Sequence, residues 1–509
     1  MSSGYAVGID FGTTNSVVAH GSVATASVLE VDPGQAVVPS VVSFTESGAY
    51  VGREAANQAV SNPERTVRSV KRSLGEDTTL SGAEDAEYSP EQVASLVFSK
   101  LKSGAEEALD GPVTNAVVTV PAYFGHQQRE ATRRAAEIAG LEVDRLLSEP
   151  TAACLSYGVG ADEADEETVL VYDLGGGTFD VSLVDVSDGV FDVVASKGDT
   201  QLGGDDWDAR LVSWFREQVD DPTRIEDPAT SARLQRAARR ARHDLSEQPS
   251  TTVALPFLPG GDDVELELTR EKLDELTADL ADRTVDICDE LLREANWNPW
   301  TIDRILLVGG ATRMPQVRDA VYDFFGQVPS PDIDPDEIVA TGAAIQATVL
   351  HDEPMVSRTD GGTHTHGDTD AVLVDVVPRT LGVETIVDGE AGYFSPVLEA
   401  HTAIPAERTR RYRTVRDDQT SVEVRVYQGD ADRVEDNEYL GSFVLSRLPE
   451  APAGEVSIDV TFEVTEDGTL EVHAADDAVG RAADVTIDSA FDGPDGEIRR
   501  AREALPGVR

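Results

Sequence analysis

Short apolar runs alternate with glycine turns along the chain, in an order that recurs. Val169, Leu170 and Val171 lead to Asp173. The backbone then passes Gly175, Gly176 and Gly177, presents Thr178, and leaves through Val181, Leu183 and Val186 in alternation. This pattern predicts a buried strand, a tight turn and a second strand. Residues 6–19, AVGIDFGTTNSVVA, repeat the order with Asp10, Gly12, Thr13, Thr14 and Asn15. A third apolar strand runs into ILLVGGATRMP, with Gly309, Gly310 and Arg313. Glycines let the backbone approach a ligand with its N–H groups outward. A carboxylate before them can order a hydrated Mg²⁺, and a hydroxyl after them can reach a phosphate. Two such hairpins facing each other could grip one triphosphate from both sides. A structural hairpin with a glycine bulge is the other reading. Neither G-x-x-x-x-G-K-S/T nor a helix-opening G-x-G-x-x-G occurs in these turns, so P-loop and Rossmann readings lose their main support.

The rest of the pattern predicts short strands at 39–44 and 50–53, a helix over 54–74, a short acidic link at 75–88 and a helix at 90–109. A buried strand follows at 113–120, then helices at 127–140 and 151–157. Gly140 is the expected helix stop. Gly203, Gly204, Asp205 and Asp206 open a long helical stretch. Helices at 234–245 and 271–295 enclose strands at 252–258 and 264–268. A strand at 305–308 and helices at 317–325 and 336–350 complete this part. Residues 351–370 lose all apolar period and read as a flexible linker. His364 and His366 within it alternate as in a metal-binding tract, but no further ligand completes a site. An apolar run follows at 371–375. Residues 376–490 read as all-β, with alternating segments at 422–427, 441–445, 458–464 and 470–474. Residues 497–505 could form about two helical turns.

The stretches GIDFGTTNS, VTVPAYF, EPTAACLSYG, VYDLGGGTFDVS, GDTQLGGDDWD, ILLVGGATRMP and DPDEIVATGAAIQ together resemble the heat-shock 70 kDa chaperone family of the DnaK type. They cover most of residues 4–349, and weaker likeness continues to about residue 490. The resemblance implies a fold of an α/β actin-like, sugar-kinase-like ATPase domain at 1–350, two lobes around a nucleotide cleft. A linker follows at 351–375, then a β-sandwich substrate-binding domain at 376–491 and a short C-terminal helix at 492–509. The family continues into a helical lid, which this sequence is expected to lack. The 75–88 link is shorter than the family's insert, so one outer lobe is expected to be trimmed.

The resemblance also assigns residues. Asp10 and Asp173 match the carboxylates that hold Mg²⁺, largely through water. Gly12, Thr13, Thr14, Asn15 and Gly175 to Thr178 match the phosphate-binding turns. Lys71, Glu149, Asp180 and Thr178 match the catalytic set, Lys71 meeting the γ-phosphate and the attacking water. Gly203, Gly204, Arg242, Ser246, Gly309, Gly310, Arg313 and Asp336 match the remaining nucleotide contacts. Arg239 reverses a charge where the family has Glu near the ribose, and His243 also departs. Pro121, Arg129, Arg145 and Asp375 match coupling positions, with Ser148 replacing the usual asparagine. Ile386, Tyr412, Val415, Val422 and Val424 match the peptide cleft, where sandwich core is the alternative. Arg413 is larger than the family's small residue there.

The chain has 509 residues and a net charge of −53, with a pI near 4.3. Five lysines and 37 arginines supply all the basic side chains. The acid excess disfavours nucleic-acid binding through the general surface. It resembles the composition of salt-in halophile proteins, whose self-repulsion molar salt screens. Cys154 and Cys288 stand alone, which predicts reduced, buried thiols. No signal or 18-residue apolar run is visible, so a cytoplasmic protein away from membranes is expected. The function expected is an ATP-dependent chaperone using ATP/ADP and Mg²⁺, with K⁺ also expected. Its partners would be unfolded or extended polypeptides, a J-domain co-chaperone and a nucleotide-exchange factor. A nucleotide-dependent scaffold with one dedicated partner remains the alternative; an actin-like or sugar-kinase-like member of the wider fold is a further one.

Overall fold

The computed structural model describes residues 4–508 except 23–24, 47, 83–85, 159–165, 188–189, 219–226, 256–263, 331–333, 352–371, 388, 466–467, 477–480 and 487–493. The linker expected at 351–370, with His364 and His366, therefore lies outside the described residues apart from His351.

Each glycine hairpin is the centre of its own sheet. Tyr5–Phe11 pairs antiparallel with Asn15–Ser22 and parallel with Val113–Val120, which pairs parallel with Glu142–Ser148. Glu167–Leu174 likewise pairs antiparallel with Phe179–Ser187 and parallel with Arg304–Val308, and Val190–Asp199 extends that sheet. Asp10 and Asp173 occupy equivalent places, each second from the end of the strand that enters its turn. The strands read as apolar because helices cover them. Tyr172, Phe179, Trp207 and Phe215 are fully buried beneath the second sheet; Phe11, Phe44, Phe98 and Phe124 lie in the core of the first.

Between the lobes, Ile338–His351 packs on Glu149–Gly158, and Ser156 Oγ meets Thr341 Oγ1 at 2.8 Å. A Cβ on Gly342 would sit 1.7 Å from the Ala152 carbonyl oxygen, so only glycine permits this approach. Cys154 and Cys288 are free and buried, and burial pushes both thiols up, away from the reactive thiolate.

Two sequence expectations need correction, and one strand was not expected. The helix over 54–74 is only Arg53–Gln58; a 3-10 turn at Pro63–Arg65, a strand at Thr66–Arg68 and another turn at Val70–Ser73 replace the rest. Pro63 breaks the helix, Thr66 and Val67 find strand partners at Ser43 and Val42, and Ser69 turns the chain at φ 53°. The acidic link carries a small hairpin, Leu80–Ser81 with Glu87–Tyr88. Residues leading into Glu149 form the strand Glu142–Ser148.

Residues 381–486 form two stacked four-stranded sheets whose alternating side chains meet in a core of Val383, Leu398, Val426, Phe443, Val460 and Phe462. This sandwich contacts the two N-terminal lobes. Val372–Val374 adds in parallel to the edge of Val190–Asp199, with Phe191 opposite Leu373. The His126 N–H donates to Gln428 Oε1 at 3.1 Å, and Gln127 Nε2 donates to the Tyr439 carbonyl at 2.9 Å. The C-terminal helix Pro494–Glu503 lies against His126–Ile138, where Arg502 Nε donates to the Ile138 carbonyl at 2.7 Å. Leu505 and Val508 then pack on the first lobe's core.

Candidate functional site

The two hairpins face each other across a cleft of about 1080 Å³. From the first come Asp10, Gly12, Thr13, Thr14 and Asn15; from the second, Asp173, Gly175, Gly176 and Thr178. The approach is tight: a Cβ on Gly176 would fall 1.7 Å from Thr14 Oγ1. The hydroxyls of Thr13 and Thr14 are buried without a hydrogen-bond partner in the protein. Buried hydroxyls ordinarily have partners, so two orphaned donors beside a backbone cradle fit a phosphate tail.

At the floor, Lys71 Nζ lies 2.7 Å from Glu149 Oε1, and both side chains are buried. Thr119 Oγ1 donates to Asp10 Oδ1 at 3.1 Å, and the Tyr123 N–H donates to Asp180 Oδ1 at 2.9 Å. Burial, reinforced by the nearby Glu149 charge, pushes both Asp10 and Asp180 up to about 7. Asp173 is pushed up for the same reasons, with Asp180 and Asp10 adding to the repulsion. Several desolvated carboxylates around one lysine make a donor set of hard oxygens suited to a hydrated divalent cation.

Gly177 and Gly203 stand just behind this surface. The Gly177 carbonyl accepts from Arg72 Nε at 2.9 Å, and the Gly203 N–H donates to Asp206 Oδ2 at 2.8 Å. Gly204, Arg242, Ser246, Gly309, Gly310, Arg313 and Asp336 line the outer part of the cleft. Arg313 pairs with Asp334 and Asp336 at 2.8 and 2.7 Å; Arg242 pairs with Asp208 at 2.7 Å. His243 also lines it, and burial together with the Arg242 charge lowers its pKa.

Sequence reasoning missed a bridge between the lobes. Ser69 Oγ donates to Asp205 Oδ2 at 2.6 Å, and Arg72 Nη2 meets Asp206 Oδ2 at 2.6 Å. Arg239 reaches Asp205 at 2.6 Å and Asp208 at 3.3 Å. The signal was three aspartates in one turn, GDDWD, complementary to the arginine-rich 233–242.

Two of the residues expected to couple cleft and linker, Pro121 and Arg129, share one turn. Arg129 is buried and donates to the Phe124 and Ala122 carbonyls at 3.2 and 3.3 Å. Pro121 offers its carbonyl to the Phe124 N–H at 3.1 Å. Asp375 accepts the Ile404 N–H on its carbonyl at 2.8 Å, and no ion pair joins it to Arg145 among the described residues. In the sandwich, Ile386 and Val415 are exposed, Tyr412 and Val422 are half-buried, and Val424 lies in the core. Among the described residues no helix is long and apolar enough to cross a membrane.

The profile of the Hsp70 protein family matches residues 6–84 and 77–505. Proteins named Chaperone protein DnaK from Thermotoga petrophila and Thermotoga maritima are each 43% identical over 510 aligned residues, covering 98% of this chain and 83% of theirs. The Thermotoga neapolitana protein of the same name is 42% identical over the same span. A duplicated hairpin cleft, a docked β-sandwich and likeness along nearly the whole length lead to one conclusion: the chain belongs to the Hsp70 family and is an ATP-dependent, ATP-hydrolysing chaperone of the DnaK type.

Proposed function

We propose that ATP lies between the two hairpins, its phosphates on the turns at 12–15 and 175–178, and that its hydrolysis controls how the sandwich holds extended polypeptide. The orphaned Thr13 and Thr14 hydroxyls beside Gly176 carry this reading. Asp10 and Asp173 would hold Mg²⁺, largely through water; the ion would supply charge neutralisation at the phosphates. Lys71, oriented by Glu149, would stabilise charge near the γ-phosphate, and Asp180 and Thr178 would order the attacking water and the phosphate oxygens. Gly203, Gly204, Gly309, Gly310, Arg242, Ser246, Arg313 and Asp336 would enclose the nucleoside. K⁺ would complete the charge around the phosphates.

The division of labour follows 1–350 for ATP, 351–375 as linker, 376–491 for peptide and 492–509 as a C-terminal helix. Ile386, Tyr412, Val415 and Val422 would offer apolar surface to a peptide strand, with Val424 beneath them. Pro121, Arg129, Arg145 and Asp375 would carry the signal between cleft and linker, and a J-domain protein and an exchange factor would act on this equilibrium in the cytoplasm. The net charge of −53 would make folding depend on high salt. Calorimetric titration of ADP with and without Mg²⁺ tests the cleft assignment. Wild type should bind Mg·ADP more tightly than ADP, and Asp10→Asn with Asp173→Asn should erase that difference; an undiminished Mg²⁺ effect would overturn it.

A further inference from the structure

Three arginines from the two lobes line the cleft, near enough for the charges of Arg239 and Arg236 to act on Arg68. Arg68 ends the strand Thr66–Arg68 in the first lobe; Arg236 and Arg239 stand one turn apart on the helix Pro228–Glu247 of the second. Asp205 draws the two sides together, because its Oδ2 accepts from Ser69, the neighbour of Arg68, while its Oδ1 accepts from Arg239 Nη2, both at 2.6 Å. Arg239 Nε also reaches Asp208 Oδ2 at 3.3 Å, and Asp208 Oδ1 takes Arg242 Nε at 2.7 Å.

Charge is therefore unevenly settled. Asp205 and Asp208 hold Arg239 and Arg242 in place. Arg68 and Arg236 form no ion pair within 4 Å among the described residues. Burial and the charges of Arg239 and Arg236 lower the Arg68 pKa, and Asp205 only partly offsets them. Like charges held together in a chain of net charge −53 are stabilised by a bound anion, and a phosphate dianion matches the planar donor fork of arginine. The nucleotide's own phosphates have their seat elsewhere, on the two hairpins. Arg239 moreover stands where the family resemblance puts a ribose-facing glutamate, so this edge of the site is inverted from acceptor to donor.

We propose that Arg68, Arg236 and Arg239, brought together from both lobes at the cleft mouth, form a phosphate seat on the ribose side, so that the chain accepts an adenine nucleotide carrying an additional phosphate on its 2′ or 3′ hydroxyl. This rests on the reading of the cleft as the ATP site. A nucleotide so held would bridge the lobes at its ribose end as well as at its phosphates.

The test is calorimetric titration at one fixed KCl concentration with Mg²⁺, using ADP, 2′-phosphorylated ADP, 3′-phosphorylated ADP, and ADP with added inorganic phosphate. At least one ribose-phosphorylated ADP should bind about tenfold more tightly than ADP, roughly 1.4 kcal/mol. The double variant Arg68→Ala with Arg236→Ala should lose that gain, its titration with plain ADP showing that it still folds and binds nucleotide. Equal or weaker binding of both phosphorylated forms by wild type overturns the proposal, as does a gain that survives in the double variant. A gain from inorganic phosphate alone assigns the seat to a free anion and also overturns it. Failure of ADP itself to bind overturns the underlying cleft reading, a separate and distinguishable result.

Discussion

Lys71 Nζ and Glu149 Oε1 are 2.7 Å apart and buried, the lysine arriving from a 3-10 turn and the glutamate from the start of a helix. A buried ion pair contributes little net stability, but breaking it strands the surviving charge. Lys71→Met should therefore cost about 3–5 kcal/mol of folding stability. It should also slow ATP hydrolysis by about 10²- to 10³-fold, as for loss of one preorganised donor. Single-turnover hydrolysis and thermal unfolding measure the two effects. A variant with wild-type hydrolysis would remove Lys71 from the chemistry.

Nucleotide release should depend on the bridge between lobes. Arg72 and Asp206 are each partly exposed and 2.6 Å apart, a pair worth about 0.5–1 kcal/mol. Arg72→Ala should speed ADP dissociation by about twofold to fivefold, allowing for that energy. Stopped-flow chase of a fluorescent ADP gives the rate; an unchanged rate would mean the bridge does not hold the cleft closed.

The hairpins were legible because their signal is local: an apolar run, an aspartate, glycines and a hydroxyl within a dozen residues. The sandwich was legible for a similar reason, since strands such as Ser457–Val464 bury every second side chain. What escaped depended on distant partners. Ser69 and Asp205 are 136 residues apart, and nothing near either announces the other. Residues 54–74 carried apolar positions at helical spacing, yet Thr66 and Val67 pair with Val41–Thr45 once the sheet exists. The roles proposed for Lys71 and Glu149 come from family resemblance, because a lone lysine and a lone glutamate have no pattern of their own.

Docking of the sandwich should weaken in acid. His401 accepts the Ser196 N–H on Nδ1 at 3.5 Å, which requires an unprotonated nitrogen. Burial lowers its pKa below the ordinary 6.5, opposed by Glu294 and Asp430 and assisted by Lys197. A lowered pKa means the undocked state takes up the proton more readily. The docking contribution is thus fully present above about pH 6.5 and fades as pH falls through the docked value. Fluorescence energy transfer between lobe and sandwich should fall between pH 7.5 and 5.5, and His401→Gln should flatten the profile. An equally steep profile in the variant would place the sensor elsewhere.

Salt should stabilise the fold. At −53, exposed carboxylates repel at low ionic strength, whereas at 1 M salt the Debye length is about 3 Å. The unfolding temperature should rise steadily from dilute buffer to molar KCl; a flat response would contradict a halophile-like design.

The edge strand Val372–Val374 pairs with Val190–Asp199 through the backbone. Leu373→Pro removes an N–H and disfavours the extended pairing. This variant should retain ATP binding but lose the effect of ATP on peptide affinity, read by parallel nucleotide and peptide titrations. Full coupling in the variant would show that the pairing does not transmit the signal.

The most direct measurement is peptide binding by fluorescence anisotropy in molar KCl with Mg²⁺, comparing ATP, ADP and no nucleotide over a panel of unrelated apolar peptides. Binding to many peptides that ATP loosens is the result expected of an ATP-dependent chaperone. No binding to any peptide, alongside intact ATP hydrolysis, would contradict that account and point to a single dedicated partner.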